Sequence, residues 1–216
     1  MSSKIGVQNI AHTNGTNAMT VSASGVVALT SPLPVASGGT GQSTASGMVK
    51  ILDTTFTNQA DFVLTSSHLN STYDRYQMLY NFFPASDGPQ LYAYAYVGGN
   101  RVTATNHSIQ ILPLDGGSTT TNTNIDIFFR LSRYSVGNAA GEGISGSAIL
   151  QNVNRNTAPY CISGQNTEIP NTGLPVQNIF GGSAKPAQRA DALNGIQFIF
   201  SGGQIASGTF QLYGVA

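Results

Sequence analysis

Charge is scarce in this chain. Only 8% of its 216 residues are Asp, Glu, Lys or Arg, and the nine positive and nine negative side chains leave a formal net charge of zero. An ordinary soluble domain is about 25% charged. The basic residues are scattered from Lys4 to Arg189, so no basic stripe exists to neutralise phosphates and nucleic-acid binding is not expected. Cysteine is nearly missing as well. Cys161 stands alone, which excludes an intrachain disulfide framework and a cysteine-based zinc site. Its expected role is that of a small residue buried beside Tyr160 and Ile162. Helical periodicity is almost absent. No uncharged apolar run approaches the ~20 residues of a membrane helix, and Met1–Gly6 lacks the apolar region of a secretory signal. The expectation is a chain made in a cytoplasm that does not insert in a bilayer.

What is present instead is Asn, Thr, Ser, Gln and 25 glycines. Neutral hydrogen-bonding side chains hydrate a surface without the long-range repulsion that keeps charged proteins apart, so this surface tolerates dense self-association. The length suits one large all-β domain with an appendage. Residues 31–47, which include Leu33-Pro34-Val35-Ala36-Ser37-Gly38-Gly39-Thr40-Gly41-Gln42, read as a linker spanning at most about 55 Å when fully extended. They separate an N-terminal segment, 1–30, from a body, 48–216.

Strand signals recur along the body, each bounded by Gly, Asn, Asp or Pro. They fall at Met48–Leu52, Asp61–Leu64, Tyr76–Phe83, Leu91–Val97, Ser108–Ile111, Ile125–Leu131, Gly146–Val153, Pro159–Ser163, Ile179–Phe180, Ile196–Phe200 and Thr209–Tyr213. The last lies close to Ala216, which implies a C-terminal strand tied into a sheet. Turns are expected at Ser86-Asp87-Gly88-Pro89, Val97-Gly98-Gly99-Asn100 and Ser201-Gly202-Gly203-Gln204, each read as a hairpin. Strands at hairpin spacing without intervening helices predict an all-β antiparallel sandwich, jelly-roll-like in its closure. In the N-terminal segment, Ile5–Val7, Ala18–Val21 and Val26–Leu29 read as short strands, with Asn14-Gly15 and Ser24-Gly25 as turns. These are too few to offset about 1–2 kcal/mol of ordering entropy per residue, so partner chains or another surface are required.

The candidates for chemistry each have an ordinary reading. His12, His68 and His107 lie far apart on polar segments and are expected at the surface or in turns. Ser37–Gly41 lacks the Lys-Ser/Thr ending of a phosphate loop. Asn122-Thr123-Asn124-Ile125-Asp126 alternates oxygen side chains but has neither the turn glycine nor the distant Glu of a calcium loop. Asp87, Asp115 and Asp191 adjoin turn signals. No cofactor, no metal site and no enzymatic activity are expected. Tyr92, Tyr94 and Tyr96 share one face of a strand, with Ala93 and Ala95 on the other. Two readings stand: a glycan platform of stacked rings and hydroxyls, or tyrosines filling the core or a subunit interface with the alanines outward or packed under a neighbour.

The segments Pro34–Gly41, Asn17–Val21 with Ser24-Gly25, Tyr73-Asp74-Arg75-Tyr76 leading to Pro84–Gly88, and Gly195–Ser201 leading to Gly208 and Leu212-Tyr213-Gly214 together resemble tail fibres and related fibre-like virion proteins of tailed bacteriophages. The first is similar to the Pro-Val-x-x-Gly-Gly-Thr-Gly punctuation of such fibres. The chain lacks long shaft repeats, so the resemblance implies a short fibre or fibre tip located in the virion. It also implies a homotrimer held to other virion proteins through residues 1–30, with the body displayed to a host surface glycan or protein. A capsid decoration or head fibre, and a carbohydrate-binding module, are the alternatives.

Overall fold

The computed structural model describes residues 9–11, 17–30, 47–105, 107–114, 122–184 and 192–215. The chain divides into two compact units, Met1–Ser46 and Gly47–Ala216.

In the first unit, β1 (Asn9–Ala11), β2 (Asn17–Val21) and β3 (Val27–Leu29) form an antiparallel three-stranded sheet in the order β1-β2-β3. Gly25 closes the β2–β3 turn with a positive φ of 80°, a conformation glycine adopts without a Cβ penalty. No described residue of this unit is buried, and Ile10, Val26, Val27 and Leu29 are exposed apolar side chains. The expected strand at Ile5–Val7 and the turn at Asn14-Gly15 lie outside the described residues.

The second unit contains β4 (Met48–Gln59), β5 (Phe62–Leu64), β6 (Arg75–Pro84), β7 (Leu91–Val97), β8 (Asn100–Arg101), β9 (His107–Leu114), β10 (Asn122–Asp126), β11 (Phe129–Arg130), β12 (Gly143–Gln151), β13 (Cys161–Ile169), β14 (Val176–Ala184), β15 (Leu193–Phe200) and β16 (Ile205–Val215). Two antiparallel sheets result, β10-β9-β14-β13-β12-β6-β16-β4 and β11-β7-β15-β5, with β8 on the side of β7. The fold is an all-β sandwich.

Its topology is that of a jelly roll. If β4, β5, β6, β7, β11, β12, β15 and β16 are counted one to eight, the first pairs with the eighth, the second with the seventh, the third with the sixth and the fourth with the fifth. Nested pairing of this kind is two Greek keys wound together. The β9–β10 and β13–β14 hairpins are additions that widen one sheet beyond β12.

Several expected turns and strands have a different role. Ser86–Pro89 and Ser201–Gln204 are not hairpin turns, because β6 and β7, and likewise β15 and β16, belong to opposite sheets. Both segments are corners where the chain crosses the sandwich, and they lie against each other: Ala85 N–H donates to Gln204 O at 2.8 Å and Ser201 N–H to Gln90 O at 2.8 Å. The pattern at Ile125–Leu131 also splits, with β10 in the wide sheet and β11 in the narrow one. Only Val97–Asn100 is the hairpin its sequence suggests, with Gly98 and Gly99 at φ of 58° and 80° as a two-residue turn requires.

Between the sheets the core is built from rings. Phe82 of β6 lies 6.3 Å from Phe210 of β16 and 5.9 Å from Phe198 of β15, and Phe62 of β5 lies 4.8 Å from Phe210. Phe82, Phe198 and Phe210 are wholly buried. Truncating Phe82 removes contacts to both sheets, so Phe82→Ala is expected to destabilise the chain by about 3–5 kcal/mol. Denaturant unfolding followed by tyrosine fluorescence measures this, and a loss under about 1 kcal/mol contradicts the packing.

Candidate functional site

The tyrosine row of β7 lies on the outer face of the narrow sheet. Ala93 and Ala95 are wholly buried and face the core, opposite Phe198 and Ile196 of β15. The reading in which the tyrosines fill the sandwich core and the alanines point outward is therefore reversed. On that face Ala93 and Ala95 pack in one core with Leu91, Phe129, Ile196 and Phe198.

The row is not a bare platform. Tyr92 stacks on Phe128, with centroids 3.9 Å apart and planes 14° off parallel, and its hydroxyl donates to Gln90 Oε1 at 2.8 Å. Tyr94, only 8% exposed, meets the edge of Phe128 at 5.3 Å and carries the Arg101 guanidinium 3.5 Å above its ring centre. That is a cation–π contact. Burial raises the Tyr94 pKa, with the Arg101 charge opposing. Across the strand pair from Tyr94 sits Gln197, 6% exposed, whose Nε2 donates to the Asp61 carboxylate. Gln197 Oε1 and Arg130 Nε are buried without a hydrogen-bonding partner among the described residues.

Tyr96, half-buried, faces a cleft of about 150 Å³ formed with Val63, Leu64, Thr65, Ser66, Gly99, Asn194 and Gly195. Gly195 stands opposite Tyr96 in the register. A Cβ there would lie 2.9 Å from Leu64 O and 3.0 Å from Tyr96 Cβ, so only glycine leaves this space. The register shift between Leu193 and Gly195 makes Asn194 the extra residue of a bulge, a device that re-aims a side chain. Its Oδ1 accepts from Gly99 N–H at 3.2 Å. Sequence reasoning reached the tyrosines but not Gly195, Asn194, Thr65, Ser66 or Gln197, which join the site only through strand pairing.

A larger apolar cleft, about 350 Å³, lies between the β13–β14 loop and the segment after β11, lined by Tyr134, Pro170, Leu174, Pro175 and Val176 among others. A buried polar network holds its wall. Glu168 of β13, with no exposed surface, accepts the backbone N–H groups of Arg133 at 3.0 Å and Tyr134 at 2.7 Å. Asn166 Nδ2 donates to Leu131 O at 2.6 Å and to the Tyr80 hydroxyl at 3.1 Å, and Asn178 Nδ2 donates to Asn166 Oδ1 at 3.0 Å. These polar residues point inward because the layer opposite them is irregular backbone rather than a strand, and its N–H and C=O groups need partners.

The remaining candidates are dispersed. His68 sits in a turn, where its Nδ1 accepts from Thr65 N–H at 3.3 Å. His107 is not at the surface: it is wholly buried, its ring 4.5 Å from Phe129, and it shares a 2.7 Å hydrogen bond with the Tyr160 hydroxyl. His12, Asp115, Asp191 and Ser37–Gly41 lie outside the described residues, as do the side chains of Asn122–Ile125. Asp126 Oδ1 caps the next N–H at 2.8 Å, and Asp87 lies in the exposed corner before β7. Cys161 is half-buried rather than buried, its thiol pKa raised by desolvation. Among the described residues no three His, Cys, Asp or Glu side chains converge as metal ligands, and no helix is long and apolar enough to cross a membrane. No protein-family model, curated protein or solved structure matches this chain.

Two buried groups titrate in opposite senses. Burial pushes the Glu168 carboxyl from 4.5 up to about 7, so the stability it costs when ionised is lost as pH rises through that window. Burial pushes His107 from 6.5 down to about 4, so stability falls as pH drops and the unfolded chain takes up the proton first. Between about pH 4.5 and 6.5 the two nearly cancel. Melting temperatures from pH 4 to 8 are therefore expected to slope downward with acid in Glu168→Gln and downward with base in His107→Gln. Parallel profiles in the two variants would contradict these assignments.

Proposed function

We propose that this chain is a structural protein of a tailed-bacteriophage virion, a short tail fibre or fibre tip that displays its jelly-roll body for host-surface recognition. The observation that carries this reading is the first unit. Its three-stranded sheet exposes Ile10, Val27 and Leu29, Val26 is exposed just before β3, and none of the unit's described residues is buried, whereas exposed apolar clusters on soluble proteins mark interaction surfaces. A sheet of that kind is an attachment element. The resemblance of Pro34–Gly41 to fibre punctuation supplies the context.

Self-association, taken in this reading as a homotrimer, is supported by the outer face of the wide sheet. In register across five strands run Leu79, Ser147, Gln165, Ile179 and Leu112, a row with no charged member. Beside it Ile149 and Leu114 are exposed. An uncharged row beside exposed apolar side chains suits contact with another protein surface, here a copy of itself. Three displayed bodies then gain avidity from effective concentration. The same face suits the second reading, a capsid decoration or head fibre arrayed side by side.

Val27→Asp with Leu29→Asp places charge on the exposed apolar side of β3. Expressed during infection, the tagged wild-type chain is expected to sediment with particles, and the double variant is expected to stay in the supernatant with the body's melting temperature unchanged. Equal incorporation of both refutes the anchoring role. Labelling the C-terminus on intact particles separates tail from shell.

A further inference from the structure

We propose that the Tyr96 cleft, continued along the tyrosine row to Gln197, binds the terminal ring of a neutral, hydroxyl-rich glycan, a hexopyranose. The inference rests on the display reading only for where such a ligand would come from; the site itself is argued from its lining.

The cleft offers one aromatic wall and a rim of uncharged hydrogen-bonding groups. Tyr96 supplies the wall, and Gly195 opposite it leaves the space that any side chain would fill. Thr65 and Ser66 bring exposed hydroxyls, which both donate and accept. Asn194 is already held through its Oδ1 by Gly99, which leaves its Nδ2 as a fixed donor. Among the described residues no ionised side chain lines the cleft, so these residues offer nothing to compensate the desolvation of a charged ligand. A ligand face with C–H groups on one side and hydroxyls at its edge fits this lining: the C–H face lies on the tyrosine ring and the hydroxyls meet the rim. The volume, about 150 Å³, is below the ~300 Å³ at which drug-sized pockets begin. It takes one ring at a chain end, not a buried oligosaccharide.

A second, independent observation lies two residues further along each strand, about 6.7 Å away. There Tyr94 faces Gln197, and Gln197 Oε1 is buried without a hydrogen-bonding partner among the described residues. A buried acceptor left unpaired costs about 1–3 kcal/mol. Its Nε2 is committed to Asp61, so the oxygen keeps its orientation. A hydroxyl from the second ring of a bound chain satisfies it. The exposed Arg101 side chain rests on Tyr94, and admitting that ring requires it to move aside.

The purified full-length chain is applied to an array of glucose-, galactose- and mannose-terminated neutral oligosaccharides beside sialylated and sulfated ones. Binding to at least one neutral terminus is expected. It should fall tenfold or more in Tyr96→Ala and equally in Ser66→Trp, which plugs the cleft from an exposed position without touching the core. Melting temperature reports folding of both variants. No binding, binding of acidic glycans alone, or neutral binding that survives Ser66→Trp overturns the proposal. The Val27→Asp, Leu29→Asp chain is expected to bind sugar as wild type does, so failure of attachment and failure of sugar recognition are read separately.

Discussion

The packing of phenylalanine rings across the sandwich is the constraint from which the rest of the body follows. Phe82 from β6, Phe210 from β16, Phe198 from β15 and Phe62 from β5 meet within about 6 Å, and they come from both sheets. A one-residue slip of any of these strands would send its rings to solvent. Fixing Phe198 inward fixes its neighbours on β15, Gln197 and Ile199, outward. Through the β7–β15 register it then places Ala93 and Ala95 inside and the three tyrosines outside. The chemistry of the outer face is thus set by a core it does not touch.

Where the wide sheet extends past β12, the opposing layer changes from strand to irregular chain, and the interior changes with it. Glu168, Asn166 and Asn178 replace aliphatic residues because the segment from Leu131 to Tyr134 presents backbone groups that no strand satisfies. A buried carboxyl with a raised pKa and a buried imidazole with a lowered one occur in this added region, near the 350 Å³ cleft in the case of Glu168. The nested eight-strand core carries no such groups among its described inward-facing residues, which are aromatic and aliphatic.

The all-β class and most strands of the body were legible in the sequence because alternation along β6, β9, β15 and β16 is strong. What alternation does not encode is which strands are partners. Turn chemistry at Ser86–Pro89 and Ser201–Gln204 is the same whether the chain doubles back in one sheet or crosses to the other, so both corners read as hairpins. Ile125–Leu131 read as one strand because its break at Ile127-Phe128 carries no Gly or Pro. Size misled at β7, since bulky rings suggest a core and small alanines a surface, yet the opposing phenylalanines already fill the interior. His107 gave no sign of burial: its partners Tyr160 and Phe129 are remote in sequence. Of the candidate site, the tyrosines were visible and the glycine that opens the cleft beside Tyr96 was not, because its meaning lies in what stands across from it.

The inside-out placement of β7 is the claim on which the site and its ligand chemistry rest. It is tested directly by single cysteines in a Cys161→Ser background, with labelling by a charged, membrane-impermeant maleimide under native conditions. Tyr96→Cys is expected to react within minutes and Ala95→Cys only at the rate of unfolding. Equal native labelling at the two positions would show that the strand faces the other way.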